Sequence, residues 1–363
     1  MRLNKFVLSG FTALAGLGFG SEAMANGRNP GSLLIYPEFD NRQAALTLVT
    51  VTNTNEDTSF FGSTSIFNGT VRVHFIYVAR VGLDHQYIEC TEFDRTETLT
   101  PNDTFSALTS FHNPGYEQGY LYVYAQGAYG ANIGKPITHN WLIGNLLAIK
   151  GFEALDYSLN PVVFKGLSAA GALTDADGDG NRDLNGTTEY EGVPDQILIP
   201  RFLGSPNQAN AVPSQFSSEM ILIALSGGTA FNTRANFWIY NDNEEAFSAN
   251  FIFRCWARVN VLQISNAFLN SFLANQTNDN PNEIFGAPSR ESGWVRVYGG
   301  SQSSGAESIT DAAIYAVLIE KLGYSYSAAD LPFETANTQS NGSLLPTGPF
   351  GDGDPDAVNF DQQ

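Results

Sequence analysis

The chain has 363 residues, with 18 basic and 37 acidic side chains and a formal net charge of −19. A surface this acidic repels nucleic acid and anionic lipid, so neither is an expected partner. With 43% hydrophobic and 12% aromatic residues against only 15% charged ones, the composition is that of a folded chain and excludes a disordered one.

The first 25 residues have the three parts of a secretory signal peptide. Arg2 and Lys5 give a positive start, residues 6–19 form a short apolar core, and Ala-Met-Ala at 23–25 fits a cleavage site. The apolar run is too short to span a bilayer, and no later stretch is long and apolar enough. We therefore expect residues 1–25 to be removed. The mature protein is expected to be secreted, without an integral membrane segment, and to act in the periplasm, at the cell surface or outside the cell.

Four sequence blocks recur in the same order along the chain, which indicates two copies of one domain. Residues 47–56 are echoed by 235–244, residues 73–77 by 249–253, residues 119–124 by 293–298, and Ile137-Thr138 ahead of an apolar run by Ile309-Thr310 ahead of another. The length also allows two domains of ordinary size.

Copy one is predicted to span residues 32–164 as an antiparallel β-sandwich, immunoglobulin-like in broad terms. Apolar and aromatic residues alternate with period two in 71–77 and 120–124, so each strand has two distinct faces. Turns rich in Asn, Asp, Gly and Pro separate these runs. Short strands divided by such turns are typical of a sandwich.

Copy two is predicted to span residues 219–333 with the same mainly β fold. Three apolar stretches, 141–149, 264–274 and 311–322, are too short for periodicity alone to separate strand from helix. We assign them to buried strands and keep helix as the alternative.

The aromatic side chains on these strands are expected to be buried in the sandwiches, because aromatic residues usually supply core area. If exposed, they would suit stacking on sugar rings or a protein contact. They are Tyr120, Tyr122 and Tyr124 in copy one, and Trp294 and Tyr298 in copy two.

The segment between the copies, residues 165–218, carries the strongest chemical signal of the chain. Asp175, Asp177, Asp179, Asn181 and Asp183 place oxygen ligands at alternate positions, and Gly178 and Gly180 let the backbone curl around a hard cation. The spacing resembles part of the calcium loops of EF-hand, dockerin and thrombospondin type 3 proteins. That resemblance implies the five residues as ligands of a structural calcium ion that stiffens the segment between the domains.

The loop departs from an EF-hand at its last ligand position. Gly186 stands where a bidentate Glu is required, and no helical pattern flanks the loop. Glu189, Glu191 and Asp195 are the candidates to stand in. An ordinary acidic surface turn is the alternative reading of the same residues.

The remaining features add little chemistry. The tail, residues 334–363, is polar and expected to be disordered, and its carboxylates Asp352, Asp354 and Asp356 form a weaker version of the acidic loop. The two cysteines, Cys90 and Cys255, fall one in each copy. Export permits a disulfide between them, but their spacing leaves bridged and free thiols both open.

The sequence therefore favours an exported, non-enzymatic structural or adhesive protein of the cell surface or extracellular space. No nucleophile–base or histidine metal motif is present. A carbohydrate-binding module that uses exposed strand aromatics is the alternative, and a hydrolase with carboxylates between the copies is a third. Partners would be a protein, a glycan or further copies of the chain.

Overall fold

The computed structural model describes residues 29–80, 90–114, 117–153, 155–175, 177–205, 216–226, 232–241, 244–275, 291–300, 302–304, 307–322 and 326–344. The predicted signal peptide and the tail carboxylates at 352–356 lie outside these residues. No helix within the described ranges is long and apolar enough to cross a membrane.

The fold is mainly β, with several antiparallel sheets. The first half of the chain contributes β1 (Leu33–Asp40), β2 (Ala45–Asn53), β3 (Val71–Arg80), β4 (Cys90–Leu99), β5 (Thr104–Leu108), β6 (Gln118–Gly127), β7 (Leu142–Lys150), β8 (Leu155–Leu159) and β9 (Val162–Phe164). The second half contributes β11 (Ile197–Leu203), β12 (Phe216–Ala224), β13 (Thr233–Asn241), β14 (Ala246–Phe253), β15 (Trp256–Asn260), β16 (Ser292–Gly300), β19 (Ile314–Leu322), β20 (Tyr326–Asp330) and β21 (Phe333–Glu334).

Shorter elements complete the described chain. They are β10 (Arg182–Asp183), β17 (Gln302–Ser304), β18 (Glu307–Ile309), β22 (Ser343–Leu344), and the helices α1 (Thr109–His112), α2 (Val261–Ile264) and α3 (Asn270–Asn275). β10 pairs with β22, and β17 pairs with β18.

Each half builds one five-stranded and one four-stranded sheet, and the strand order is the same in both halves. The first half has the orders β4-β3-β6-β1-β9 and β5-β2-β7-β8. The second half has β14-β13-β16-β11-β21 and β15-β12-β19-β20. Strand for strand, β11 to β16 occupy the places of β1 to β6, and β19 to β21 those of β7 to β9.

Within the first half the two sheets face each other across a core. The Tyr36 hydroxyl donates to the backbone carbonyl of Thr50 at 2.7 Å, and the rings of Phe75 and Phe105 lie 5.3 Å apart. Along β2, Val49 and Val51 are fully buried, whereas Thr50 and Thr52, which follow them, are half-buried. This is the period-two pattern of a strand with one face on the core.

The two halves contact each other along the edge strands β8 and β20, where the Ser327 hydroxyl donates to the Asp156 carbonyl, and through one sheet face from each. In the second half, β12 and β15 lie against β1 and β6 of the first. This contact explains why β1 is buried at all eight positions. It covers the outer face of the first five-stranded sheet, the face that carries Tyr120 and Tyr122. The expected burial of the first-half tyrosines is confirmed: Tyr120, Tyr122 and Tyr124 are at most 5% exposed.

A disulfide also joins the halves. Cys255, beside β15, is disulfide-bonded, and Cys90, the first residue of β4, is the chain's other cysteine. The bridge that the sequence left open therefore connects the first half to the second.

A charged cluster lies at the same contact. Its acids are Glu38, Asp40, Glu153 and Glu219, and its bases are Arg42, Lys150, Arg258 and Lys321. Lys150 is 3% exposed and binds Glu38 at 2.8 Å and Asp40 at 2.9 Å. Arg258 crosses from the second half to Glu38 at 3.2 Å. Burial raises the pKa of Glu38, and the Lys150 ammonium opposes that shift.

The recurring sequence blocks fall on these strands unevenly. Residues 119–124 and 293–298 lie on β6 and β16, and the apolar runs after Ile137 and Ile309 lie on β7 and β19, which are corresponding places. The other two pairs do not correspond. Residues 47–53 lie on β2, whose place in the second half is held by β12, but residues 235–241 lie on β13. Residues 73–77 lie on β3, whose place is held by β13, but residues 249–253 lie on β14.

Two of the three ambiguous stretches are strands, and one is not. β7 covers 142–149, and β19 covers 314–322. The strand assignment of 264–274 is wrong: α2, a turn of 3-10 helix at Asn266–Phe268 and α3 occupy this region. The reason is local, because Asn260 forms a capping box with Gln263 that starts α2. The apolar run 197–203 of the inter-copy segment is β11, which pairs with β16.

Candidate metal centre

The acidic loop predicted from the sequence lies between β9 and β10 and is shaped by its own carboxylates. Asp175 Oδ1 accepts the Gly178 amide at 2.8 Å, and Asp179 Oδ1 accepts the Asn181 amide at 2.8 Å. Gly178 and Gly180 have φ values of 75° and 86°, a region that favours glycine. The alternation of Asp and Gly therefore produces successive tight turns that bring side chains together.

Three carboxylates converge at this loop. One oxygen from each of Asp175, Asp177 and Glu189 lies within 4.8 Å of the others. Asp177 is exposed, Asp175 is half-buried and Glu189 is 2% exposed. Carboxylate oxygens are the ligands that hard divalent cations prefer, so this acidic group could hold a metal ion.

Glu189 is the buried member and has one oxygen without a partner. Its Oε2 accepts the Asp183 amide at 3.0 Å, whereas its Oε1 is buried and has no hydrogen-bond donor. Burial raises the pKa of Glu189 to about 7, against the opposing effects of the Asp183 amide and the Arg182 charge. A buried carboxylate oxygen without a donor costs free energy. A proton or a cation shared with Asp175 and Asp177 would satisfy it.

The other predicted ligands lie outside the group of three. Asp179 Oδ2 accepts the Asn181 side-chain amide at 2.7 Å, so these two residues bind each other. Burial raises the pKa of Asp183, and the nearby charges of Asp179 and Asp177 raise it further. The structure thus joins Asp175 and Asp177 to Glu189, one of the three stand-ins suggested by the missing ligand at Gly186.

The other two stand-ins have separate roles. Glu191 Oε2 accepts the Lys165 amide at 3.0 Å, and Asp195 binds the Thr335 hydroxyl. Both acids fasten backbone segments to each other and lie outside the group of three.

Arg182 contacts the acidic loop, although the sequence patterns did not single it out. Its side chain is 5% exposed and lies 3.6 Å from Asp175 Oδ2. It donates to the Gly180 carbonyl at 2.9 Å, and its guanidinium lies 4.9 Å from the centre of the Tyr124 ring. Arg182 therefore ties the acidic loop to the outer face of the first five-stranded sheet.

Two of the three histidines on described residues, His112 and His139, are buried hydrogen-bond partners. His139 Nε2 lies 2.9 Å from Asn53 Oδ1, and His112 Nδ1 lies 2.8 Å from the Tyr77 hydroxyl. Burial lowers the pKa of each to about 4, and the Arg95 charge adds to the effect on His112. Both imidazoles are neutral at neutral pH and serve as hydrogen-bond partners.

A second feature is an open aromatic surface on the second half. We call the outer side chains of β13 and β16 the aromatic face: Trp238, Tyr240, Trp294, Arg296 and Tyr298. Tyr240 and Trp294 stack at 4.4 Å with 9° between their planes, and the Trp238 indole donates to Tyr298 at 3.0 Å. Trp238 is 40% exposed and the other four are half-buried. The expected burial of Trp294 and Tyr298 is therefore only partial.

No protein-family model and no curated protein matches the chain. Among solved structures, a chain of the Pleurotus ostreatus lectin in its apo form aligns with 90% of this chain and 84% of its own length. The identity is 8% and the TM-score is 0.13. A likeness at this level carries no argument about fold or function.

Proposed function

We propose that the protein is an exported, non-enzymatic structural or adhesive component of the cell surface or extracellular space, stiffened by calcium between its two halves. The observation that carries this proposal is the buried Glu189 Oε1, which has no donor and belongs to a carboxylate that meets Asp175 and Asp177. The charge of the chain, −19, suits a protein that meets divalent cations outside the cell.

Two copies of one β-sandwich domain are the finer description of the fold that we propose. The shared strand order supports a duplication. In each half, six of the eight connections between successive strands cross from one sheet to the other. This alternation is nearer to a double-sheet jelly roll than to the four-against-three strands of an immunoglobulin domain.

Calcium is the cation that the donor set favours. The group offers only carboxylates, and calcium accepts six to eight oxygen ligands in flexible geometry, including carbonyls and water. Asp175, Asp177 and Glu189 would hold the ion, with Asp183 close enough to add charge. No histidine or cysteine belongs to the group of three, so the set does not resemble a zinc site.

The position of the loop supports a stiffening role. β10, which ends the loop, pairs with β22 in the C-terminal segment, and the Leu167 amide donates to the Glu189 carbonyl at 2.9 Å. Arg182 holds the same loop on Tyr124. An ion at Glu189 would thus fix one segment against the first half and against the C-terminal strand together.

Thermal unfolding with and without calcium tests the proposal. Calcium at 100-fold above its Kd should add about 2.7 kcal/mol to the folded state, and EDTA should reverse the rise in melting temperature. Glu189→Gln should abolish the response. Glu191→Gln, which changes another buried acid two residues away, should keep it. An unchanged melting temperature in calcium and in EDTA would remove the calcium role.

Glycan binding is a second candidate, favoured by one observation. The aromatic face presents a stacked Tyr240–Trp294 pair beside a 40% exposed Trp238, and aromatic rings with open faces suit sugar stacking. A glycan array with wild type and Trp238→Ala tests it.

A further inference from the structure

The outer surface of the second five-stranded sheet is free of acidic side chains along its three longest strands. More buried and less buried positions alternate on β13, β14 and β16, so the outward residues follow from the pattern. They include the aromatic face with Arg234 and Asn236, and on β14 they are Ala246, Ser248, Asn250 and Ile252. The chain has 37 acidic residues against 18 basic ones. None of these outward positions, in the part of the chain that the structure describes, is Asp or Glu.

Two arginines on this surface have no hydrogen-bond or ion-pair partner among the described residues. They are Arg296 on β16 and Arg234 on β13, and the Nε of each is buried without an acceptor. Both residues are half-buried as a whole, so part of each side chain reaches the solvent. By contrast, Arg201 and Arg258 of the same half pair with acids. In a chain with an excess of acids, two such arginines leave cationic groups available to an anion from outside.

Arg296 lies among the rings of the aromatic face. Its guanidinium is 5.6 Å from the centre of the Trp294 ring, a separation at which a cation and a ring attract each other. The Trp294 ring in turn stacks on Tyr240 at 4.4 Å. On the other side, Arg296 is in register with Trp238 of β13, which is 40% exposed. A cation and open aromatic rings therefore share one surface.

The second arginine lies further along the same surface. Arg234 is four residues before Trp238 on β13, which corresponds to about 13 Å along an extended strand. Asn236, in register with Tyr298, lies between them. Because Arg296 is opposite Trp238, the two arginines are separated by a similar distance. One ligand can reach both only if it is a chain of several units.

We propose that this surface binds an anionic polysaccharide, whose sugar rings stack on the aromatic face and whose carboxylate or sulfate groups pair with Arg296 and Arg234. Aromatic rings suit sugar stacking, and a planar guanidinium binds oxyanions through paired hydrogen bonds. The net charge of −19 repels a polyanion from the rest of the molecule, so such a ligand would bind where acids are missing. The proposal rests on the glycan binding given above as the second candidate function, and it uses neither the acidic loop nor calcium.

Calorimetric titration of the processed full chain with matched polymers tests the proposal. Dextran sulfate and dextran have the same sugar chain and differ in charge, as do polygalacturonate and its methyl ester. EDTA in every titration prevents calcium from bridging the acidic protein to an anionic polymer. At least one charged polymer should bind, and which one binds identifies the anion as sulfate or carboxylate. Its neutral counterpart should bind about tenfold more weakly or less, and sodium chloride should weaken the binding of the charged polymer.

Single variants locate the site. Arg296→Gln and Arg234→Gln should each weaken binding of the charged polymer by about tenfold. Both variants should melt close to the wild-type temperature, because neither guanidinium has a hydrogen-bond or ion-pair partner among the described residues. Lys135→Gln is the control, since it removes the same charge at an exposed position of the first half, and it should bind like wild type. Trp238→Ala should weaken binding of charged and neutral polymers alike.

The outcomes distinguish the anionic ligand from glycan binding in general. Equal binding of charged and neutral polymers that is lost in Trp238→Ala would overturn the anionic ligand and leave the glycan candidate standing. Binding of a charged polymer that survives both arginine substitutions would also overturn the proposal. Absence of binding to every polymer would overturn the proposal and the glycan candidate together. Glu189→Gln should bind the charged polymer like wild type, which separates this site from the calcium role.

Discussion

The indole N–H of Trp256, in the second half, donates a hydrogen bond of 2.8 Å to the backbone carbonyl of Pro37, in the first half. The two residues are far apart in sequence, and both lie where β15 packs on β1. Because the indole is 2% exposed, water cannot replace this donor. The bond therefore fixes how the two halves meet.

Trp256→Phe should destabilise the protein by about 1–2 kcal/mol, because the Pro37 carbonyl loses its donor in a buried place. Urea unfolding at neutral pH measures the loss. Trp238→Phe removes an indole from the open face and should have a smaller effect. Equal effects of the two substitutions would show that the contact between the halves does not depend on this bond.

Lys150→Met should cost about 3–5 kcal/mol, since it leaves the buried carboxylates of Glu38 and Asp40 with one cation fewer. Lys135→Met, at an exposed lysine, is the matched control and should change stability by less than about 0.5 kcal/mol. Equilibrium unfolding of both variants checks the expectation. A loss no greater than that of the control would contradict a structural role for the charged cluster.

Two parts of the fold show what the sequence can and cannot predict. The match between the blocks at 119–124 and 293–298 agrees with the strand order, since they lie on β6 and β16. This match is reliable because a glycine followed by alternating aromatic residues is a specific pattern. Simple period-two alternation is common to every half-buried strand. It therefore pairs residues of β2 with residues of β13, although β13 holds the place of β3 in strand order. In strand order and register, Pro37-Glu38-Phe39 of β1 corresponds to Pro200-Arg201-Phe202 of β11, which lies in the segment between the two predicted copies.

The candidate site likewise contains residues that the sequence could predict and residues that it could not. Asp175 and Asp177 could be predicted because their ligand spacing is local. Glu189 enters from beyond β10, and only the folded chain distinguishes it from Glu191 and Asp195. Arg182 carried no motif, since its role is to place a cation against Tyr124 of a distant strand.

Reducing the disulfide at Cys255 should destabilise the protein by about 4 kcal/mol, since it closes a loop of well over a hundred residues. Thiol titration of the unfolded, unreduced chain should find no free thiol. Unfolding with and without reductant gives the magnitude. Two reactive thiols in the unreduced chain would contradict the bridge.

Stability should fall as the pH is lowered from about 6.5 to about 4, in part because of His139. The pKa of His139 is about 4 in the folded protein and about 6.5 when unfolded, so the unfolded state binds more protons in this window. The full contribution is about 3 kcal/mol. Because raised carboxyl pKa values act in the opposite direction, the measurement is the difference between wild type and His139→Gln. The stability difference between the two proteins should shrink as the pH falls across this window. A difference that does not depend on pH would refute the low pKa of His139.

Calcium affinity should fall about tenfold between pH 8 and pH 6. Glu189 has a pKa of about 7 without metal and must lose its proton to bind the ion. Titrations at several pH values measure the change. Glu244→Gln, at an exposed acid outside the loop, should leave the profile unchanged. A pH-independent affinity over this range would exclude Glu189 as a ligand.

The most direct measurement is isothermal titration calorimetry of the metal-free protein with calcium at pH 8, on wild type, Glu189→Gln and Asp179→Asn. We expect one ion per chain, with a Kd of about 0.1–1 mM, in the range of extracellular calcium modules. Glu189→Gln should lose binding, whereas Asp179→Asn should retain it within about threefold, because Asp179 lies outside the group of three. Absence of binding heat in the wild type, or the reverse order of the two variants, would contradict a calcium site built on Glu189.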